Sequence, residues 1–81
     1  MATQELAADR VLDCTGLLCP VPIIRLSKAI KEIDVGQTIL MLATDPGSRP
    51  DMQAWQRRTR NEVSEAEQDG KTFRFLVRRT V

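Results

Sequence analysis

Residues 38–43, TILMLA, constrain the fold more than any other stretch. The run is continuously apolar and of strand length, which suits a strand buried on both faces in the middle of a sheet. The chain has 81 residues, room for one domain and no second. A domain this small buries only roughly 60–65% of the surface its unfolded chain exposes. The rest of the chain must therefore supply the neighbours of this one strand. Residues 1–81 are expected to form a single domain, with 1–9 loosely ordered or disordered.

The flanking segments supply those neighbours. RVLDC (10–14) reads as a short first strand, and Gly16 supplies a turn where positive φ is cheap. From Pro20 to Asp34 the pattern is helical, with Ile23, Leu26, Ile30 and Ile33 on one face and Gly36 just beyond. The loop TDPGSRP (44–50) is dense in turn formers and leads to a second helix, Pro50 to Asn61. Ser48 and Asp51 resemble a capping box, and Met52, Trp55 and Thr59 line one helical face. Asp69-Gly70 signals a hairpin with a type I′ turn. A two-residue turn there pairs Ala66 with Phe73, Glu65 with Arg74, Ser64 with Phe75 and Val63 with Leu76. Phe73, Phe75 and Val77 then share a face with small residues, and Glu65 meets Arg74 as an opposite charge. The expected order is β-α-β-α-β-β, a four-stranded mixed sheet with both helices on one side and its first two strands parallel.

Composition excludes several functions. Net charge is +1, from 12 basic and 11 acidic residues, which is no reason to expect nucleic acid or an acidic membrane as partner. The N-terminus has no apolar signal region, and no apolar run is long enough to span a bilayer. A cytoplasmic location, where thiols stay reduced, is expected. The absence of histidine removes Cys–His and Ser–His catalysis and histidine metal ligation. Two cysteines are too few for a disulfide framework or a four-ligand zinc site. No cofactor or metal is implied.

The chemistry concentrates in GLLCPVP, residues 16–22. With Cys19 as N-cap, Pro20 takes N1 and Pro22 N3, where each removes only a backbone donor that has no intrahelical partner. Leu18 could then pack on Ile23 as a hydrophobic staple. The helix N-terminus favours the thiolate, the more so if the Val21 N–H reaches the sulfur, while the two prolines weaken that effect. Arg25 lies roughly 9 Å along and about 120° around the helix, and Lys28 is farther, so neither is a direct partner. A moderately activated, exposed thiol is expected. Lacking a histidine or a CxxC partner, it suits carrying a cargo, such as a sulfane sulfur held as Cys–S–SH, better than catalysing hydrolysis.

LDCTGLLCPVP, with Asp13, Gly16, Leu17, Cys19, Pro20 and Pro22 in place, resembles the signature of the TusA-like (CPxP) family of small sulfur-carrier proteins. The likeness runs from about Arg10 to Arg79 and includes Gly36, Asp45-Pro46, Asp51 and Asp69-Gly70. It implies a two-layer α/β sandwich in which Cys19 carries persulfide sulfur and Gly16, Leu17, Pro20 and Pro22 shape and present it. It also implies donors of the cysteine desulfurase or rhodanese type. Acceptors would be relay proteins serving tRNA thiolation, molybdenum-cofactor pathways or sulfur oxidation. The isolated chain is expected to be a monomer.

Other features have plainer readings beside their functional ones. Cys14 is expected to pack under the sheet; the alternative is a resolving thiol for Cys19 in a redox-regulatory module. Arg49, Arg57, Arg58 and Arg60 form a basic cluster whose default is a solvated face. Its alternative is a docking patch for acidic partner surfaces, which would also suit a non-catalytic interaction domain. Arg74, Arg78 and Arg79 repeat that argument more weakly. RNA binding is disfavoured because Trp55 sits at core spacing and no stacking platform is visible. Met41 and Met52 read as core.

Overall fold

A computed structural model describes residues 8–65, 68 and 70–81. Strand β1 (Arg10–Cys14) leads to helix α1 (Val21–Ala29), which tightens into a 3₁₀ turn at Ile30–Glu32. Strand β2 (Thr38–Ala43), helix α2 (Ser48–Thr59), strand β3 (Glu62–Glu65) and strand β4 (Phe73–Arg78) follow. The sheet order is β1-β2-β4-β3. β2 pairs in parallel with β1 and antiparallel with β4, and β4 closes antiparallel on β3. No helix among the described residues is long and apolar enough to cross a membrane.

TILMLA occupies the interior position its composition demands. Ile39, Met41 and Ala43 point into the core cluster beneath the helices. Leu40 points to the opposite face and is still only 5% exposed, because Val11 and Leu76 lie beside it across the strands. Both helices serve the first face: Leu26, Ala29, Met52 and Trp55 meet the inward residues of the sheet in one cluster. Trp55, fully enclosed, still satisfies its indole N–H by donating to Ser27 Oγ of α1 at 3.0 Å. The smallest dimension, 17 Å, fits one sheet and one helix layer. This is the mixed four-stranded α/β sandwich expected from the sequence.

Several boundaries differ from the pattern-based expectation. α1 stops at Ala29, where a continuous helix to Asp34 was expected. In a 3₁₀ turn residues three apart eclipse, so Ile30 and Ile33 both reach the core. α2 starts two residues earlier than Pro50 and ends at Thr59, with Arg60 as its C-cap at φ 68°. Its N-cap is Gly47, with no side-chain capping bond, so Ser48 and Asp51 do not form a capping box.

The hairpin is shifted by one residue. Val63 pairs with Val77, Ser64 with Leu76 and Glu65 with Phe75. A one-residue slip exchanges the two faces of a strand. The observed register turns Val63 against the core and Ser64 to the open face, the arrangement that buries the apolar side chain. Glu65 therefore does not face Arg74; it accepts from Arg49 Nε of α2. The expected I′ turn at Asp69-Gly70 and the Ala66–Phe73 pair rest on Asp69 and Ala66, which lie outside the described residues, as do residues 1–7. Asp9 is already fixed, its N–H donating to the Thr38 carbonyl at 3.1 Å.

Candidate functional site

β1 and β2 are parallel neighbours that end together, Cys14 beside Ala43. The loops leaving them, 15–20 and 44–47, therefore emerge at one edge of the sheet, and both helices begin there. Open α/β sheets present their sites at this carboxyl edge.

The first loop is tied down residue by residue. Asp13 Oδ1 accepts from Thr15 N–H at 3.0 Å and Thr15 Oγ1 at 2.7 Å, bonds that hold the Asp13 carboxyl below its usual range. Gly16, at φ 79°, turns its N–H to Thr44 Oγ1 in the facing loop at 2.9 Å. Leu17 donates to the Cys14 carbonyl at 3.2 Å and its side chain packs against the core. The Cys19 N–H donates to Asp45 Oδ2 at 2.9 Å. Finally the Val21 N–H closes a turn on the Leu18 carbonyl at 2.9 Å, with the Cys19–Pro20 bond cis. Such a turn carries proline at its third position and leaves Leu18, Cys19 and Pro20 exposed at its corner.

This geometry corrects the expected cap. Pro20, not Cys19, is the N-cap of α1; Val21 and Pro22 are the first two helical residues, and Pro22 is buried. The Val21 N–H is spent on Leu18 and does not reach the sulfur. Leu18 is 72% exposed, so it does not staple the helix entry.

The sulfur faces carboxylates instead of backbone donors. Cys19 Sγ–H donates to Asp51 Oδ2, in the first turn of α2, at 2.5 Å. Gly47 packs beside the same loop: a Cβ there would lie a tight 3.3 Å from Asp45 Oδ2 and an ordinary 3.8 Å from Cys19 Cβ. The Cys19 thiol is held above the ordinary range, first by its hydrogen bond to Asp51, then by desolvation and the charges of Asp51 and Asp45. Against the expectation of a moderately activated thiol, the carboxylates around Cys19 favour its protonated form. Arg25 and Lys28 are not its partners, as expected: the Arg25 charge acts on Cys14.

Asp45, Asp51 and Thr44 were not foreseen as site residues. Asp51 was read as a helix cap, a local role, whereas its contact spans 32 positions. The available signal was topological: once the first two strands are taken as parallel neighbours, the loops after both must meet.

Cys14 lies apart from this chemistry. It is fully buried in the core and its thiol is free. The arginines expected to cluster are divided along α2. Arg49, in the first turn, is ion-paired to Glu65 and stacked 5.3 Å over the Phe73 ring. Arg57 and Arg58 occupy the last turn, with Arg60 just beyond. Eight residues of helix put roughly 12 Å between the two groups. The 390 Å³ groove between the C-terminal halves of the helices takes Arg58 among its walls, and Cys19 does not line it.

Known proteins resemble this chain in sequence and in fold. A family model described as Sulfurtransferase TusA matches residues 10–79. Sulfur carrier protein TusA of Allochromatium vinosum is 40% identical over 72 residues, covering 89% of this chain and 95% of that protein. The putative sulfur carrier protein YrkI of Bacillus subtilis is 36% identical over 72 residues, covering 89% and 96%. The crystal structure of a SirA-like protein from Desulfitobacterium hafniense superposes with a TM-score of 0.77 at 23% identity. It covers 89% of this chain and 99% of that one, and speaks to the fold. With the match spanning both strands that build the site and both loops that meet in it, this chain belongs to the TusA family.

Proposed function

We propose that this chain is a sulfur carrier in a sulfur relay, with Cys19 accepting a sulfane sulfur as a persulfide and handing it to a partner. The observation that carries this reading is the exposed, free Cys19 thiol, held at the corner of a turn that hydrogen bonds fix on both sides. Transfer needs a sulfur that a second protein can reach and that stays in place while it does. In the accepting step the Cys19 sulfur attacks the outer sulfur of a donor persulfide, R–S–SH. The donor S–S bond breaks, a new one forms on Cys19, and the thiol proton ends on the departing donor sulfur. The products are Cys19–S–SH and R–SH, with no net change of oxidation state.

Donors of the cysteine desulfurase or rhodanese type fit this step, and acceptor relay proteins fit its reverse; a cytoplasmic setting keeps the thiol reduced. Catalysis is partner-dependent, because at rest the groups around Cys19 keep its proton on the sulfur. Gly16 and Leu17 anchor the loop, and Pro20 and Pro22 shape the turn and the first helical residues. Arg57, Arg58 and Arg60 are left as docking charge for acidic partner surfaces, Arg49 being engaged within the chain.

The test is intact mass after incubation of the reduced protein with a persulfide donor. The carrier reading predicts a gain of one sulfur atom, reversed by reductant, absent in Cys19→Ser and kept in Cys14→Ser. A loss of two hydrogens under oxidant, abolished by either substitution, would favour a redox module instead.

A further inference from the structure

The residue with the closest contact to the Cys19 sulfur is one to which the carrier reading assigns no role. Asp51 reaches Sγ from the first turn of α2, while Asp45, from the loop before it, holds the Cys19 N–H. These two carboxylates are the charged groups acting on the sulfur, both negative and both on the segment packed against it. Their placement at the start of α2 also matters. A helix N-terminus carries partial positive charge that would favour a thiolate. Asp51 occupies that turn and offsets it.

We propose that Asp51, in direct contact with the reacting sulfur, latches the Cys19 thiol in its protonated form until a sulfur donor engages it, and then receives its proton. At rest the proton stays on sulfur, since a carboxylic acid is the stronger acid by roughly four to five orders of magnitude. An exposed thiol held this way resists adventitious oxidants and electrophiles, which attack the thiolate. As a donor persulfide engages Cys19, the thiol gives up its proton while its sulfur attacks the outer sulfur of the donor, so that the attacking species has thiolate character. The proton passes to Asp51 Oδ2, the donor S–S bond breaks, and the departing donor thiolate takes the proton back. Atoms and charge balance without a further reagent. The latch rests on geometry alone; only this transfer step rests on the carrier reading.

The experiment is the pH profile of Cys19 alkylation by iodoacetamide in the full chain, adducts being assigned by mass spectrometry. The wild-type midpoint is expected to lie above that of the same thiol in the urea-unfolded chain. Asp51→Asn keeps the shape and removes the charge, so its midpoint should fall; Asp51→Glu should restore it at least in part. At pH 7 the Asn variant should react several-fold faster. The gain stays below the increase in thiolate fraction, because nucleophilicity falls as the thiol pKa falls; the midpoint is therefore the sharper readout. Asp45→Asn should shift the midpoint less, since Asp45 acts on the sulfur only through its charge, its hydrogen bond being to the Cys19 N–H. An unchanged midpoint in Asp51→Asn overturns the latch, as does an equal shift in Asp45→Asn, which would indicate a general field. A wild-type midpoint at or below the unfolded value overturns it without any variant. Sulfur uptake from polysulfide is scored separately: if neither wild type nor Asp51→Asn gains sulfur while the midpoint shifts, the latch stands and the carrier reading fails.

Discussion

Cys14 and Cys19 are the same side chain five residues apart, and both thiols are held above the ordinary range, with different leading causes. Cys14 ends β1 inside the core with no exposed surface, and burial is the leading cause that disfavours its thiolate, with the Arg25 charge opposing it and the Asp13 charge adding to it. Cys19 stands exposed beyond the same strand, and a carboxylate from a distant helix does the work there. The first suppression cannot be lifted without opening the core. The second rests first on a hydrogen bond at the surface, which an approaching partner can displace. Reactivity in this fold thus depends on what is suppressing the thiol, more than on how strongly it is suppressed.

The two cysteines can be set against each other directly. Cys19→Ser should abolish sulfur uptake completely and leave the urea unfolding midpoint almost unchanged. Cys14→Ser should do the reverse, keeping uptake while losing about 1–3 kcal/mol of stability by burying a hydroxyl in an apolar cluster. Uptake lost in Cys14→Ser with the fold intact would break the contrast. A smaller effect is expected from Gly16→Ala. At φ 79° an alanine is strained by about 1–2 kcal/mol, and the N–H held by Thr44 is the anchor of the Cys19 loop. Chemical unfolding should report that loss, with sulfur uptake slowed rather than abolished.

The smallest effect concerns alkaline pH. Burial raises the native Cys14 thiol above its unfolded value. Its contribution to stability is therefore fully present below the unfolded pKa of ~8.5 and is lost as the pH rises from there through the native value. Wild type should lose stability relative to Cys14→Ala between pH 8 and pH 10, as read from paired urea titrations. Cys19 adds a term of the same sign in both proteins and cancels from the difference. A difference that grows in favour of wild type would contradict the assignment.

Much of this contrast was legible in the chain itself. TILMLA could only be an interior strand, Trp55 and Met52 recur at core spacing, and a cysteine closing a short strand is an ordinary core residue. An exposed cysteine framed by Gly16, Pro20 and Pro22 was equally legible as the reactive one. What sequence reading missed depends on distance or on small competitions. Asp51 looks like a cap from its neighbours, and only the packing of α2 beside the 15–20 loop turns it onto the sulfur. The N-cap moved from Cys19 to Pro20 because the Val21 N–H found the Leu18 carbonyl three residues back in the turn. The hairpin slipped by one residue because burying Val63 outweighs the pairing of Glu65 with Arg74, a surface ion pair worth about 0–1 kcal/mol. Local pattern fixes the elements, while contacts across tens of residues set the chemistry between them.

The central claim is that sulfur resides on Cys19 and nowhere else in the chain. The direct measurement is to load the reduced protein from a persulfide donor, alkylate it, cleave after arginine and lysine, and fragment the peptide Val11–Arg25, which contains both cysteines. The account predicts that the added sulfur is carried by fragments containing Cys19, with Cys14 unmodified. Added sulfur on Cys14, or divided between the two cysteines in the folded protein, would contradict it.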